Sequence, residues 1–60
     1  MNWLAPHPDM MMSVTSKGEV YRIIREGGQF LVTRETRDGV TPLGTTTTVR
    51  AAKDLAEAQS

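Results

Sequence analysis

Hydrophobic and polar positions divide this chain into three stretches of different rhythm. Residues 1–16, "MNWLAPHPDMMMSVTS", show no regular period. From Lys17 onward, β-branched and aromatic residues dominate, and two turn dipeptides, Gly27-Gly28 and Asp38-Gly39, punctuate the run. From Val49 the apolar positions Val49, Ala52, Leu55 and Ala56 recur at helical spacing, with Arg50, Lys53, Asp54 and Glu57 on the opposite side. The pattern predicts an α+β protein, a three-stranded antiparallel meander packed on one C-terminal α-helix (βββα).

Both dipeptides are two-residue hairpin signals, because glycine, and to a lesser degree aspartate, tolerates positive φ. They place strands near residues 19–26, 29–37 and 40–46. Two-residue turns set the register. Around Gly27-Gly28, Arg25 faces Phe30, Ile24 faces Leu31, Ile23 faces Val32 and Arg22 faces Thr33. Around Asp38-Gly39, Thr36 is expected opposite Thr41 and Arg34 opposite Leu43. One face then carries Tyr21, Ile23, Phe30, Val32 and Leu43, with Arg25 and Arg34 towards its ends, and is the better core face. The other carries Val20, Arg22, Ile24, Gln29, Leu31, Thr33, Glu35, Val40 and Pro42. Pro42 has no N–H to donate, which suits an edge strand.

The tract "GTTTT" at 44–48 joins sheet to helix. Thr45 and Thr46 suit the end of a strand, where β-branched side chains fit the pleat. Thr48 is the expected N-cap, its hydroxyl accepting an N–H from the first helical turn. Position 51 is alanine, so no capping box forms and the cap is worth about 1 kcal/mol. The helix stripe is alanine-rich. It allows close approach to the sheet but buries little area, at about 25 cal/mol per Å².

Residues 1–16 are expected to form a flexible tail, leaving residues 17–60 as a single small domain. Pro6 and Pro8 bracket His7 and push their preceding residues towards extended geometry. Met10, Met11 and Met12 also offer alternative translation starts. A sharper alternative docks Trp3, Leu4 and the adaptable methionines on an apolar surface.

Length and composition narrow the chemistry. Sixty residues without cysteine have no disulfide or thiolate metal site. A lone His7 does not make a multi-histidine zinc site. A chain this short buries only about 60% of its unfolded surface, so association is the staple that remains. Seven basic and seven acidic residues cancel. No apolar run nears the roughly 20 residues that span a bilayer, and no signal peptide is evident, so a soluble cytoplasmic protein is the default expectation. No nucleophile–base set, phosphate-cradling glycine loop or metal cluster is legible, so an enzyme is not expected, nor a cofactor or small-molecule substrate.

One helix closes one sheet face and leaves the other uncovered. There Ile24 and Leu31 are central cross-strand neighbours, flanked by Arg22 and Thr33. An apolar centre with an arginine and a polar rim is the anatomy of an interface. Arg22, Ile24, Leu31 and Thr33 are the candidate interaction surface. Its occupant is open among another protein, a second copy, the N-terminal tail and DNA.

The segments "YRIIR" (21–25), "GGQFLVTRE" (27–35) and "LGTTTTVRAAKDLAEA" (43–58) resemble the plant ethylene-response-factor DNA-binding domain. They are also similar to the arm-site-binding N-terminal domain of phage-type tyrosine recombinases. The resemblance covers residues 19–58 and implies a three-stranded sheet on one helix, reading the major groove with the sheet face away from the helix. It implies base or phosphate contacts from Arg22 and Arg25. Gln29 and Thr33 follow on the second strand, and Arg37 completes the candidate nucleic-acid set. Arginine pairs well with guanine and glutamine with adenine. On the outer face, however, Arg22 and Arg37 stand against Glu26 and Glu35, whereas groove-reading surfaces carry excess positive charge. The leading expectation is therefore a small non-enzymatic protein-binding module. Its expected role is that of an accessory or inhibitor protein of the kind phages and mobile elements encode, with DNA binding as the alternative.

Overall fold

The computed structural model describes residues 1–59; Ser60, the last position of the expected domain, lies outside them. The protein is α+β: a five-stranded antiparallel sheet followed by one helix. The strands are β1 (Leu4–His7), β2 (Met10–Val14), β3 (Val20–Glu26), β4 (Gln29–Thr36) and β5 (Gly39–Thr46), and the helix is α1 (Val49–Gln59). The sheet is a plain meander in the order β1-β2-β3-β4-β5.

The β3–β4 hairpin has the expected register, with Arg25 opposite Phe30, Ile24 opposite Leu31, Ile23 opposite Val32 and Arg22 opposite Thr33. Gly27 and Gly28 both take positive φ, 54° and 80°, as a two-residue turn with the twist of its strands requires.

The β4–β5 hairpin departs from the expected register. Thr36 faces Gly39 and Arg34 faces Thr41, so the turn residues are Arg37 and Asp38. The physical reason is local. Among the described residues no non-glycine has positive φ, so Asp38 does not enter the left-handed region that a turn centred on Asp38-Gly39 demands. Instead the Asp38 N–H donates to Thr36 Oγ1 at 3.2 Å, a side-chain bond that closes the turn one residue earlier.

A bulge then restores the core pattern. Thr33 faces Pro42 but Val32 faces Gly44, leaving Leu43 as the extra residue on β5. Leu43 consequently packs against the core beside Val32 instead of opposing Arg34. β5 is an edge strand, which accommodates Pro42.

The N-terminal stretch is the largest correction. Three strands and a flexible tail over residues 1–16 were expected, yet residues 4–14 form a hairpin paired along the free edge of β3. Met10 faces Ile24, Met11 faces Ile23, Met12 faces Arg22 and Ser13 faces Tyr21. A bare β3 edge presents unpaired N–H and C=O groups, and β2 satisfies them. Both prolines fit. Pro6 lies on the short edge strand β1, and Pro8 occupies the turn between His7 and Met10. "HPD" is a turn as well, with the Asp9 N–H bonded to His7 Nδ1 at 3.1 Å. The Arg25 N–H reaches the Asp9 carbonyl at 2.8 Å and ties this turn to β3. The methionine run hides the alternation: Met10 and Met12 share one face, Met11 and Ser13 the other.

The helix lies over β3, β4 and β5. Beneath it Tyr21, Ile23, Val32, Ala52 and Ala56 are buried, with Trp3, Met11, Phe30, Leu43 and Leu55 packed around them. Each large buried side chain contributes about 1.5–3 kcal/mol relative to exposure. Trp3 and Met11 thus extend the core towards β2. Thr48 is the N-cap, as the sequence predicts: its Oγ1 accepts the Ala51 N–H at 3.1 Å, and its carbonyl accepts the Ala52 N–H at 3.1 Å.

Candidate interaction surface

The sheet face away from the helix is assembled by alternation on every strand. Three cross-strand rows run over it. His7, Met10, Ile24, Leu31 and Thr45 form the first. Leu4, Met12, Arg22, Thr33 and Pro42 form the second. Val14, Val20, Glu35 and Val40 form the third.

No element crosses this face; the N-terminal segment joins its edge and widens it from three strands to five. Met10, Met12, Val20, Ile24 and Leu31 are half-buried by their neighbours, while Leu4, Val14 and Val40 are 64%, 59% and 60% exposed. Period-two alternation along β2 supplies Met10 and Met12, which the sequence pattern places in the tail. The missed signal was the β3 edge itself, which needs a pairing partner.

The arginine on this face is paired within the chain, while Glu26 stands exposed beside Gln29 at its end. The Arg22 guanidinium bonds Glu35 Oε1 across the β3–β4 ladder, a diagonal pair since Arg22 faces Thr33 and Glu35 faces Val20. Thr33, between Arg22 and Pro42 in its row, is only 7% exposed. Of the four expected surface residues, the structure therefore brings Ile24 and Leu31 together at the accessible centre. It holds Arg22 in an ion pair and withdraws Thr33 beneath its neighbours.

The candidate nucleic-acid set does not form one surface. Arg22, Gln29 and Thr33 belong to the outer face, but Arg25 faces Phe30 on the helix side, and Arg37 sits in the β4–β5 turn. Gln29 and Arg37 are exposed.

Two hollows lie at the margins of the sheet, one reaching Val14 and the other Met10. One of about 380 Å³ sits between the N-terminus and the β2–β3 turn, lined by Asn2, Ser13, Thr15, Ser16, Lys17 and Glu19 among others. Its polar groups serve the turn, with Thr15 Oγ1 accepting the Glu19 N–H at 3.2 Å. The other, about 140 Å³, lies where Arg25, Phe30 and Val49 meet the β1–β2 turn. Among the described residues no three His, Cys, Asp or Glu side chains gather as a metal site, and no helix is long and apolar enough to cross a membrane.

Comparison with protein-family models, with curated proteins and with solved structures yields no match for this chain.

Proposed function

We infer that this protein is a small, non-enzymatic, cytoplasmic binding module that engages another protein surface through the open face of its sheet. One observation carries the reading: the three central strands β2, β3 and β4 present Met10, Met12, Val20, Ile24 and Leu31 as an apolar surface over which no other element lies. Contiguous exposed apolar surface rimmed by polar groups marks interaction sites in soluble proteins. Gln29, Glu26, Thr45 and the Arg22–Glu35 pair supply such a rim. An accessory or inhibitory role suits a unit that offers a surface and no reactive constellation.

DNA binding is the competing outcome. Its basis would be arginines free to reach phosphate or base edges, and Arg22 is held by Glu35. A comparison of wild type with the Ile24→Asp, Leu31→Asp double variant tests the reading. Peptides selected from a displayed library on wild type are expected to lose binding to the variant, while mixed duplex DNA at low salt leaves the amide shifts unmoved. Outer-face shifts induced by DNA with steep salt dependence would overturn it, as would selected peptides that bind both proteins equally.

A further inference from the structure

Resting on that reading, we propose that the protein surface received by the open sheet face is a second copy of this chain, so that two sheets pack face to face as a two-fold sandwich with the helices outside.

Four properties of the face favour a copy of itself. The first is charge. A two-fold interface brings like residues of two copies to one patch, so any net charge on it repels itself. Here the central arginine is neutralised within its own chain by Glu35, and the whole chain is neutral. Ile24 and Leu31 can then meet a second copy without setting cation against cation.

The second is area. The body measures 30 × 20 × 18 Å, and five strands about 4.8 Å apart, of up to eight residues each, make a sheet on the scale of one of its broad sides. Such a side is about a fifth of the 4078 Å² surface, close to the roughly 800 Å² per partner of a standard stable interface. The β1–β2 hairpin is what brings the face to that size, since β3, β4 and β5 alone would offer only about seven-tenths of it.

The third is shape. Regular antiparallel sheets pack on one another with strand directions about 30° apart and inner side chains interdigitated across about 10 Å. Alternation already gives this face the required surface, medium-sized side chains in three rows with no bulky aromatic: Tyr21, Phe30 and Trp3 all contribute to the helix side.

The fourth is need. Among the described residues the buried apolar set is five side chains, two of them alanine. Domains of this size commonly draw on a disulfide, a metal or association. This chain contains no cysteine, and pairing through the sheet would give Ile24, Leu31, Met10 and Met12 the second layer that the helix gives Ile23 and Val32.

The test is solution mass by light scattering across concentrations, joined to isotope-filtered NMR on a mixture of differently labelled copies. The expected result is a mass twice the 6.6 kDa of the chain, with intermolecular NOEs from Ile24 and Leu31 methyls. Leu31→Asp should return the mass to that of one chain. Val40→Lys, at a 60% exposed position that the fold does not depend on, should weaken association at least tenfold with an unchanged circular dichroism spectrum. A wild type that stays monomeric up to millimolar concentration overturns the dimer; library peptides that still bind at Ile24 and Leu31 would then leave the broader interface reading standing. A dimer with intermolecular NOEs only from the helix or from the β5 edge overturns both.

Discussion

Gly44 on β5 lies directly beneath Leu55 on α1: a Cβ placed on Gly44 would stand 3.3 Å from Leu55 Cδ2. The same residue has φ of +149°, outside the usual range of L side chains, and it sits in the bulge that turns Leu43 into the core. Close approach and backbone conformation thus demand glycine together. Gly44→Ala should destabilise the fold by about 1–3 kcal/mol, read as a lower urea midpoint with an unchanged slope. A midpoint equal to wild type would show that the strand relaxes without cost.

Thr48 holds the entry to the helix. Thr48→Ala removes the acceptor of the Ala51 N–H and should cost about 1 kcal/mol, whereas Thr48→Ser should restore most of it. Equal stability of the alanine and serine variants would exclude a capping role.

Ser13 and Tyr21 face one another on β2 and β3, on the helix side of the sheet. They are 1% and 0% exposed, and neither hydroxyl has a hydrogen-bond partner. A buried hydroxyl without a partner costs free energy that its apolar counterpart does not. Ser13→Ala and Tyr21→Phe should each leave stability unchanged or raise it, by about 1 kcal/mol at most. A loss above that in thermal denaturation would mean that the hydroxyls are satisfied in solution.

Trp3 is the single tryptophan and packs against the core from the N-terminal segment. Its fluorescence therefore reports on the β1–β2 hairpin, and the far-ultraviolet circular dichroism reports on the whole. The two unfolding curves should superimpose, as one cooperative unit requires. Trp3→Ala should destabilise by about 2 kcal/mol or more, on the scale of large aromatic truncations. A tryptophan transition well before the main one would return residues 1–14 to the status of a loosely held tail.

Arg22 and Glu35 are 30% and 41% exposed, so their pair is partly screened by solvent. A double-mutant cycle with Arg22→Met and Glu35→Gln should give a coupling of about 0.2–1 kcal/mol that shrinks in high salt. No coupling at low salt would free Arg22 for contacts beyond the chain and would restore the case for DNA.

The sequence alone determined the parts whose causes are local. Gly27-Gly28 set the register of β3 on β4, since only glycine takes the two positive φ values in succession at no steric cost. The 3.6-residue recurrence of Val49, Ala52, Leu55 and Ala56 set the helix and its buried side, and Thr48 marked its start. Period-two alternation separated Ile23 and Val32 from Ile24 and Leu31, which is why the two central residues of the candidate surface were legible before any coordinates. Tertiary structure decided what depends on a neighbour. Whether the second turn takes Asp38-Gly39 or Arg37-Asp38 was settled by the bond from the Asp38 N–H to Thr36 Oγ1, and the Leu43 bulge by the core it must fill. Three consecutive methionines carry no alternation of their own, so Met10 and Met12 became surface and Met11 core only because β3 offered an unpaired edge. The same pairing converted a three-stranded face into a five-stranded one, and the cross-strand neighbour Glu35 gave Arg22 a partner within the chain. Local propensity is written in the residues themselves; the satisfaction of an edge, a cavity or a charge is a property of what folds against them.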